Sequence, residues 1–387
     1  MKIPFHKPIF PEDLNPIIKE SIDSGWVTTG PKVEEFEKQF SEYLYAEHVI
    51  AVNSGTAALH LALAAKGIGI GDKFVVPTYT FVASVEVGEY LGAEPVLVDS
   101  DPDTFNLDLN QVEGILSEEK SRNIKAIIPV HFGGQAVNMK RVNELAEKYD
   151  LFVLEDAAHA VETVSNTGKV GNTNHAAAFS FYANKNITTG GEGGALATND
   201  EQLADKVRKL SLHGMSKDGW KRFEIGGKWE YDVSELGYKY NMTDIAASFG
   251  HEQLTHIDDW YKRRLEIVKL YNDGMSDIEG IILPKHTNGE VHAWHLHVIR
   301  IKPRLWQISR NELIEKINEK GIGTSVHYIP VHMHSYYIKK YNYKPNDFPI
   351  AKKLFETVIT LPLYPKMTNE QTQYIISTLI DLWHQYK

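Results

Sequence analysis

The chain has 387 residues, 42% hydrophobic and 24% charged, with a net charge of −10 and a pI near 5.9. That composition sustains a sizeable core and one large or two smaller domains, and its acidic balance speaks against general nucleic-acid binding. With no cysteine there is no disulfide framework and no thiolate nucleophile or ligand. No run is apolar and long enough to span a bilayer, and residues 1–8 lack the apolar core of a signal peptide, so a cytoplasmic location is expected.

In chain order, residues 49–52 read as a strand and 57–65 as a helix. Residues 74–77 read as a strand end, 81–91 as a helix and 95–99 as a strand. Residues 125–130 follow as a strand, 139–149 as a helix and 151–155 as a strand. Short apolar runs alternating with helical segments predict a mostly parallel sheet covered on both faces. Ligands of such sheets bind at the carboxyl ends of the strands. This singles out Asn53, Thr78, Asp99, His131 and Asp156.

After Asp200 the rhythm changes. Residues 203–212 read as a helix. Residues 215–240, rich in Gly, Lys, Trp and Tyr without a clear period, read as a long loop of a length that is usually functional or disordered. Residues 243–271 carry one long amphipathic helical pattern. A strand at 295–301, a helix at 310–320, a short strand near Ser325 and helices at 348–358 and 369–386 complete a smaller α+β unit. The division expected is 1–245 for a large α/β domain with its N-terminal segment, and 246–387 for a connecting helix and small domain.

The densest chemistry lies at Phe179-Ser180-Phe181-Tyr182-Ala183-Asn184-Lys185, followed by the glycine cluster 190–194. It is joined by Glu155-Asp156-Ala157-Ala158-His159, which closes the apolar run 151–154. A lysine near the end of one buried strand and an acid at the end of another suit pyridoxal 5'-phosphate (PLP). That cofactor needs a Schiff-base lysine and a carboxylate on its ring nitrogen. Taken alone, Asp156 reads equally as a helix cap.

Ser54-Gly55-Thr56 opens a helix after a strand, which makes it either a plain cap or a phosphate site built from backbone N–H groups. Ser180 reads either as a further hydroxyl for that phosphate or as a polar strand end. His159 is either a ring contact or a satisfied buried histidine, and Phe81 either a stacking aromatic or core. Lys217, Lys221 and Arg222, interleaved with Trp220 and Phe223, form either a solvated loop or a clamp for an anionic substrate. His292, His295, His297, His327, His332 and His334 have no cysteine or clustered acid nearby, so no metal is expected.

In this order the motifs resemble the DegT/DnrJ/StrS family of PLP-dependent nucleotide-sugar aminotransferases. The resemblance runs from residues 24–31 through 53–59, 77–81, 98–99, 130–135, 155–160, 180–185, 191–194 and 237–244 to 327–332 and 361–365. It implies the type I PLP-transferase (aspartate aminotransferase-like) α/β fold and a homodimer with shared active sites. It implies that Lys185 holds the cofactor, as PLP or its aminated form PMP, and that Asp156 pairs with the ring nitrogen. Ser54, Gly55, Thr56 and Ser180 are then phosphate contacts, Phe81 a stacking residue and His159 a neighbour of the phenolic oxygen. Asn241 becomes a phosphate contact from the partner subunit, and Thr29, Lys221, Arg222, His327 and Tyr328 substrate contacts. The family often carries arginine where Asn241 stands, asparagine where Lys239 stands and aspartate where Asn138 stands.

The implied reaction moves the amino group of L-glutamate onto a nucleotide-linked keto-deoxysugar. The favoured substrate is a UDP-4-keto-6-deoxy-N-acetylhexosamine aminated at C4, because residues 220–223 and 238–241 look most similar to such members. Amination at C3 of a dTDP-3-keto-6-deoxyhexose is the alternative. A small-molecule amino-acid aminotransferase and a non-catalytic regulator on the same fold are further alternatives. Lys185 argues against the family's dehydratase branch, where histidine takes its place, and the absence of cysteine argues against a desulfurase.

Overall fold

A computed structural model of the chain describes residues 1–12, 14–118, 123–215, 231–287 and 289–387. Helices α1 (Leu14–Asp23) and α2 (Pro31–Leu44) come first. Proline opens α2, where its missing N–H costs nothing. Val33, Phe36, Phe40 and Leu44 recur at helical spacing and are buried, and Tyr45 ends the helix in the left-handed region.

Strands and helices then alternate as the apolar runs require. They are β1 (His48–Val52), α3 (Gly55–Ala65), β2 (Lys73–Pro77), α4 (Ala83–Tyr90), β3 (Glu94–Val98), α5 (Leu109–Ser117), β4 (Ile124–Ile127), α6 (Met139–Tyr149) and β5 (Phe152–Asp156). A small hairpin, β6 (Val164–Ser165) and β7 (Gly168–Lys169), precedes β8 (Ala176–Ser180), β9 (Gly194–Thr198) and α7 (Glu201–Ser211).

Among the described residues one seven-stranded sheet forms in the order β1-β9-β8-β5-β4-β2-β3. β9 runs antiparallel to both its neighbours, whereas β8, β5, β4, β2 and β3 pair in parallel. Six strands therefore end at one edge, and the polar residues that follow them share it. The α/β fold and the mostly parallel sheet agree with the sequence reading. Asn138 proves to be the cap of α6, accepting from Arg141 N–H and from the Asn166 amide.

The second unit starts differently from expectation. The pattern at 243–271 is two helices, α8 (Asp244–Thr255) and α9 (Ile257–Met275), meeting at His256. The apolar period runs through the junction, so nothing in it marks the break. β10 (Ile281–Ile282), β11 (His297–Ile301) and β12 (Val358–Leu361) form an antiparallel sheet. α10 (Arg310–Glu319), α11 (Ser335–Tyr341), α12 (Pro349–Thr357) and α13 (Asn369–Tyr386) surround it. Its core joins Ile267 and Tyr271 of α9 to Ile299, Leu313, Ile359 and Leu379. Each such side chain contributes about 1.5–3 kcal/mol of burial.

Two ties fix this unit over the large sheet. Ile3 bridges Ile322 and is buried in the second core, while Gln253 of α8 donates to the Ile9 carbonyl at 2.9 Å. The first ten residues therefore run from the second core to α8, whose Ala247 and Leu254 pack with Phe36 and Phe40 of α2. In addition, Tyr79 donates to the His327 carbonyl at 2.6 Å, and Val331 N–H to the Thr78 carbonyl at 2.7 Å. This holds the loop 327–332 against the carboxyl end of β2. No helix among the described residues is long and apolar enough to cross a membrane.

Candidate active site

The strand edge collects the titratable residues. Asp156 ends β5 and is buried. Its backbone is held to the segment after β4, donating to the Pro129 carbonyl and accepting from His131 N–H. Its side chain accepts from Ala158 N–H at 3.1 Å and from the Ser84 hydroxyl at 2.6 Å. Lys185 lies in the turn after β8, its N–H donating to the Tyr182 carbonyl. Burial pushes the Lys185 amine down from 10.5 to about 8, and the opposite charge of Asp156 recovers only part of that fall.

His159 stands next to both. It accepts Gly133 N–H on Nδ1 at 3.1 Å, which leaves Nε2 as the N–H donor, 3.1 Å from the Tyr328 hydroxyl. Burial first, then the charges of Lys185 and His327, hold it well below the usual histidine range, so the ring is neutral. Tyr328 is pushed up by burial and by the Asp156 charge and keeps its proton. His327 is buried, bonded to Thr360 at 2.9 Å and lowered to about 4 by burial and Lys185. Phe81 is 59% exposed, its ring 6.1 Å from that of Tyr328.

A second group borders the first. Ser54 caps α3, accepting from Ala57 N–H at 3.0 Å. The next two residues, Gly55 and Thr56, form the first helical turn, whose N–H groups have no intrahelical partner. The run Ala176-Ala177-Ala178 in β8, with Gly194 in β9, leaves room for α3 to approach the sheet closely. A Cβ on Gly55 would come within 2.9 Å of the Ser180 Cβ. Small residues thus bring the α3 N-terminus and the Ser180 hydroxyl together.

Asn241 bridges Val52 at the end of β1, and its amide donates to Thr29 Oγ1 at 2.7 Å; Thr29 in turn donates to the Met242 carbonyl. This pair is placed within one chain beside the strand that leads to Ser54. Lys221 and Arg222 lie outside the described residues. The histidines are distributed: His292 stacks on Trp294, His295 bonds Asn186, and His297 bonds Asn272. Among the described residues no cluster of three or more His, Asp or Glu side chains could hold a metal ion.

Several neighbours were given no part in this site by the sequence, His295 having been considered only as a metal ligand. Ser84 and Gly133 act on Asp156 and His159 from distant elements. The His295 ring packs against that of His159, centroids 4.5 Å apart and planes tilted by 36°. A small cavity beside Lys185 is lined by His6, Asn184, Arg264, His295 and Tyr364 among others. Only His6 had an available signal, as a histidine in a short proline-flanked segment.

The donor set suits PLP. A helix N-terminus with two hydroxyls answers a phosphate, a buried carboxylate answers a protonated ring nitrogen, and an amine titrating near 8 answers an aldehyde. A side chain on Gly55 would fill the phosphate end of this cradle.

Comparison with known proteins gives the same direction. The family model described as the DegT/DnrJ/EryC1/StrS aminotransferase family matches residues 9–380. The spore coat polysaccharide biosynthesis protein SpsC of Bacillus subtilis is 44% identical over 98% of this chain and 97% of its own. A putative sugar aminotransferase, Spr1654 from Streptococcus pneumoniae in its PMP form, superposes with a TM-score of 0.91. It is 33% identical, covering 99% of this chain and 100% of that one. Helicobacter pylori PseC, an aminotransferase involved in the biosynthesis of pseudoaminic acid, superposes with a TM-score of 0.90. It is 25% identical over 100% of both chains.

Proposed function

The chain belongs to the DegT/DnrJ/EryC1/StrS aminotransferase family and is a PLP-dependent sugar aminotransferase; from that premise we propose that it transfers the amino group of L-glutamate to C4 of a UDP-4-keto-6-deoxy-N-acetylhexosamine. The observation that carries the reading is the convergence of Lys185, Asp156 and His159 at one sheet edge, beside the α3 N-terminus and Ser180.

Lys185 holds the cofactor by its amine, and Asp156 binds the ring nitrogen and keeps it protonated. Ser54, Gly55, Thr56 and Ser180 bind the phosphate. His159 donates from Nε2 towards the phenolic oxygen, and Phe81 covers the ring. When bound, PLP supplies the aldehyde that carries the amino group and a ring that withdraws electrons from the reacting carbon. With its amine free, Lys185 Nζ would take the proton from the substrate carbon and deliver it to the carbon on the far side of the transferred nitrogen. Its lowered pKa suits both directions of that transfer near neutral pH. Tyr328, His327 and Thr29 would contact the sugar substrate. Lys221 and Arg222 grip its diphosphate, and the enzyme works as a homodimer in which Asn241 reaches the phosphate of the partner's cofactor.

The choice of a polysaccharide-type nucleotide sugar is supported by the 44% identity to SpsC. Amination at C4 is supported by the similarity of residues 220–223 and 238–241 to members of that type. The test is a panel of nucleotide keto-sugars with glutamate, read by NMR of the products. Amination at C4 of the UDP-linked sugar, with ping-pong kinetics, is expected. Amination only of a dTDP-3-keto sugar would overturn the position and the base, and amination of none would overturn the substrate class. In the same assay Arg222→Ala raises KM for the nucleotide sugar with little change for glutamate.

A further inference from the structure

The crossing helix α4 enters the site at a point the sequence does not advertise. Ser84, in its first turn, is fully buried, and its hydroxyl lies 2.6 Å from Asp156 Oδ2. It also lies 3.3 Å from the Phe81 carbonyl and 2.9 Å from the Thr80 hydroxyl. Ser84 has one proton to give. The carboxylate is both the nearer acceptor and the charged one, so the proton points to Asp156. Thr80, itself 2% exposed, must then donate to the Ser84 oxygen. The result is a directed pair of hydroxyls, Thr80 to Ser84 to Asp156, with Ala158 N–H on the other carboxylate oxygen.

We propose that Ser84 is a positioning residue for the transamination: with Thr80 behind it, it fixes the plane of the Asp156 carboxylate against the cofactor's ring nitrogen. The proposal rests on the assignment of Asp156 to that nitrogen. α4 follows β2, and β4 lies between β2 and β5 in the sheet, so the contact is made across the fold and not by a local turn. With two fixed donors on the carboxylate among the described residues, removing one lets it rotate. The site is buried, and no bulk water is at hand to replace the lost hydroxyl.

The test compares Ser84→Ala, Ser84→Thr and Asp156→Asn in the full chain, loaded with PLP and cofactor-free. Ser84→Ala changes little volume. It is expected to release PLP about 10-fold to 100-fold faster on dilution, the range for a hydrogen bond to a charged group. It should also lower kcat with little change in KM. The pH midpoint of the bound cofactor's visible band should move upward, because a loosely held ring proton leaves less positive charge beside the lysine–cofactor nitrogen. Tm of the cofactor-free protein should fall only modestly, since the buried carboxylate loses a donor there as well, and Ser84→Thr should restore retention and midpoint.

Wild-type retention and midpoint in Ser84→Ala would overturn the proposal, provided Asp156→Asn loses the cofactor. Wild-type retention in Asp156→Asn as well would show that the assignment of Asp156 had failed first. A fall in the cofactor-free Tm without a shift in midpoint would make the hydroxyl a packing group only and equally overturn the proposal.

Discussion

Gly133 N–H donates to His159 Nδ1 at 3.1 Å, and this bond settles which nitrogen of the ring carries the proton. Gly133 has φ +62, a left-handed conformation that glycine adopts without strain, so the residue type and the ring's tautomer are linked. The neutral ring presents Nε2–H outward, towards Tyr328 and the proposed cofactor oxygen.

The first prediction follows from that bond. Burial, then Lys185 and His327, keep His159 well below its ordinary 6.5. Ring nitrogen NMR of selectively labelled protein should show Nδ1 bare and Nε2 protonated throughout pH 6–8. A titration of this ring between those limits, or the opposite tautomer, would refute the arrangement.

Lys185 gives up its proton at lower pH than a surface lysine. Burial disfavours the ammonium and brings its pKa from 10.5 to about 8. Cofactor uptake needs the free amine, so its rate should rise about tenfold per pH unit below 8 and flatten above it. Asp156 holds the pKa up, so Asp156→Asn should move the bend to lower pH. A rate that climbs unchanged to pH 10 would contradict the burial argument. Lys185→Ala should abolish the borohydride-trapped adduct, and an adduct at another lysine would displace the assignment.

Gly55→Ala tests the phosphate end. The added methyl meets Ser180 Cβ at 2.9 Å and the Phe179 carbonyl at 3.2 Å, so α3 must withdraw from β8. Such overpacking costs about 1–3 kcal/mol, and the two phosphate-binding groups part. The Kd for PLP should rise about tenfold or more, while pyridoxal, which lacks the phosphate, should bind nearly as before. Equal losses for both would place the phosphate elsewhere.

What could be read from the sequence was what the chain encodes locally. Asp156 ends an apolar strand and Ser54 stands at a strand–helix turn, and short-range pattern shows both. The pairing of Ser84 with Asp156 spans 72 residues and that of Gly133 with His159 spans 26. Both depend on strand order, which leaves no periodic mark. The division of residues 243–271 into α8 and α9 escaped for the opposite reason: the period continues through His256. The clamp residues Lys221 and Arg222 remain a reading of the sequence alone.

The last prediction concerns the pair beneath the lysine loop. Arg264 of α9 is 1% exposed, and one arm of its guanidinium pairs with the buried carboxylate of Glu162. Glu162 also accepts from the Asn186 amide at 2.6 Å, and Asn186 follows Lys185 directly. An ion pair of this kind is weak evidence for net stability, yet breaking one side leaves a buried charge without its partner. Arg264→Met should therefore destabilise the cofactor-free protein by about 3–5 kcal/mol in urea unfolding. The double change with Glu162→Leu removes both charges and should recover most of that loss. Because Asn186 loses its Glu162 acceptor in the double variant, PLP retention there should stay reduced even where stability returns. Full recovery of retention in the double variant would show that the Glu162–Asn186 contact does not orient Lys185.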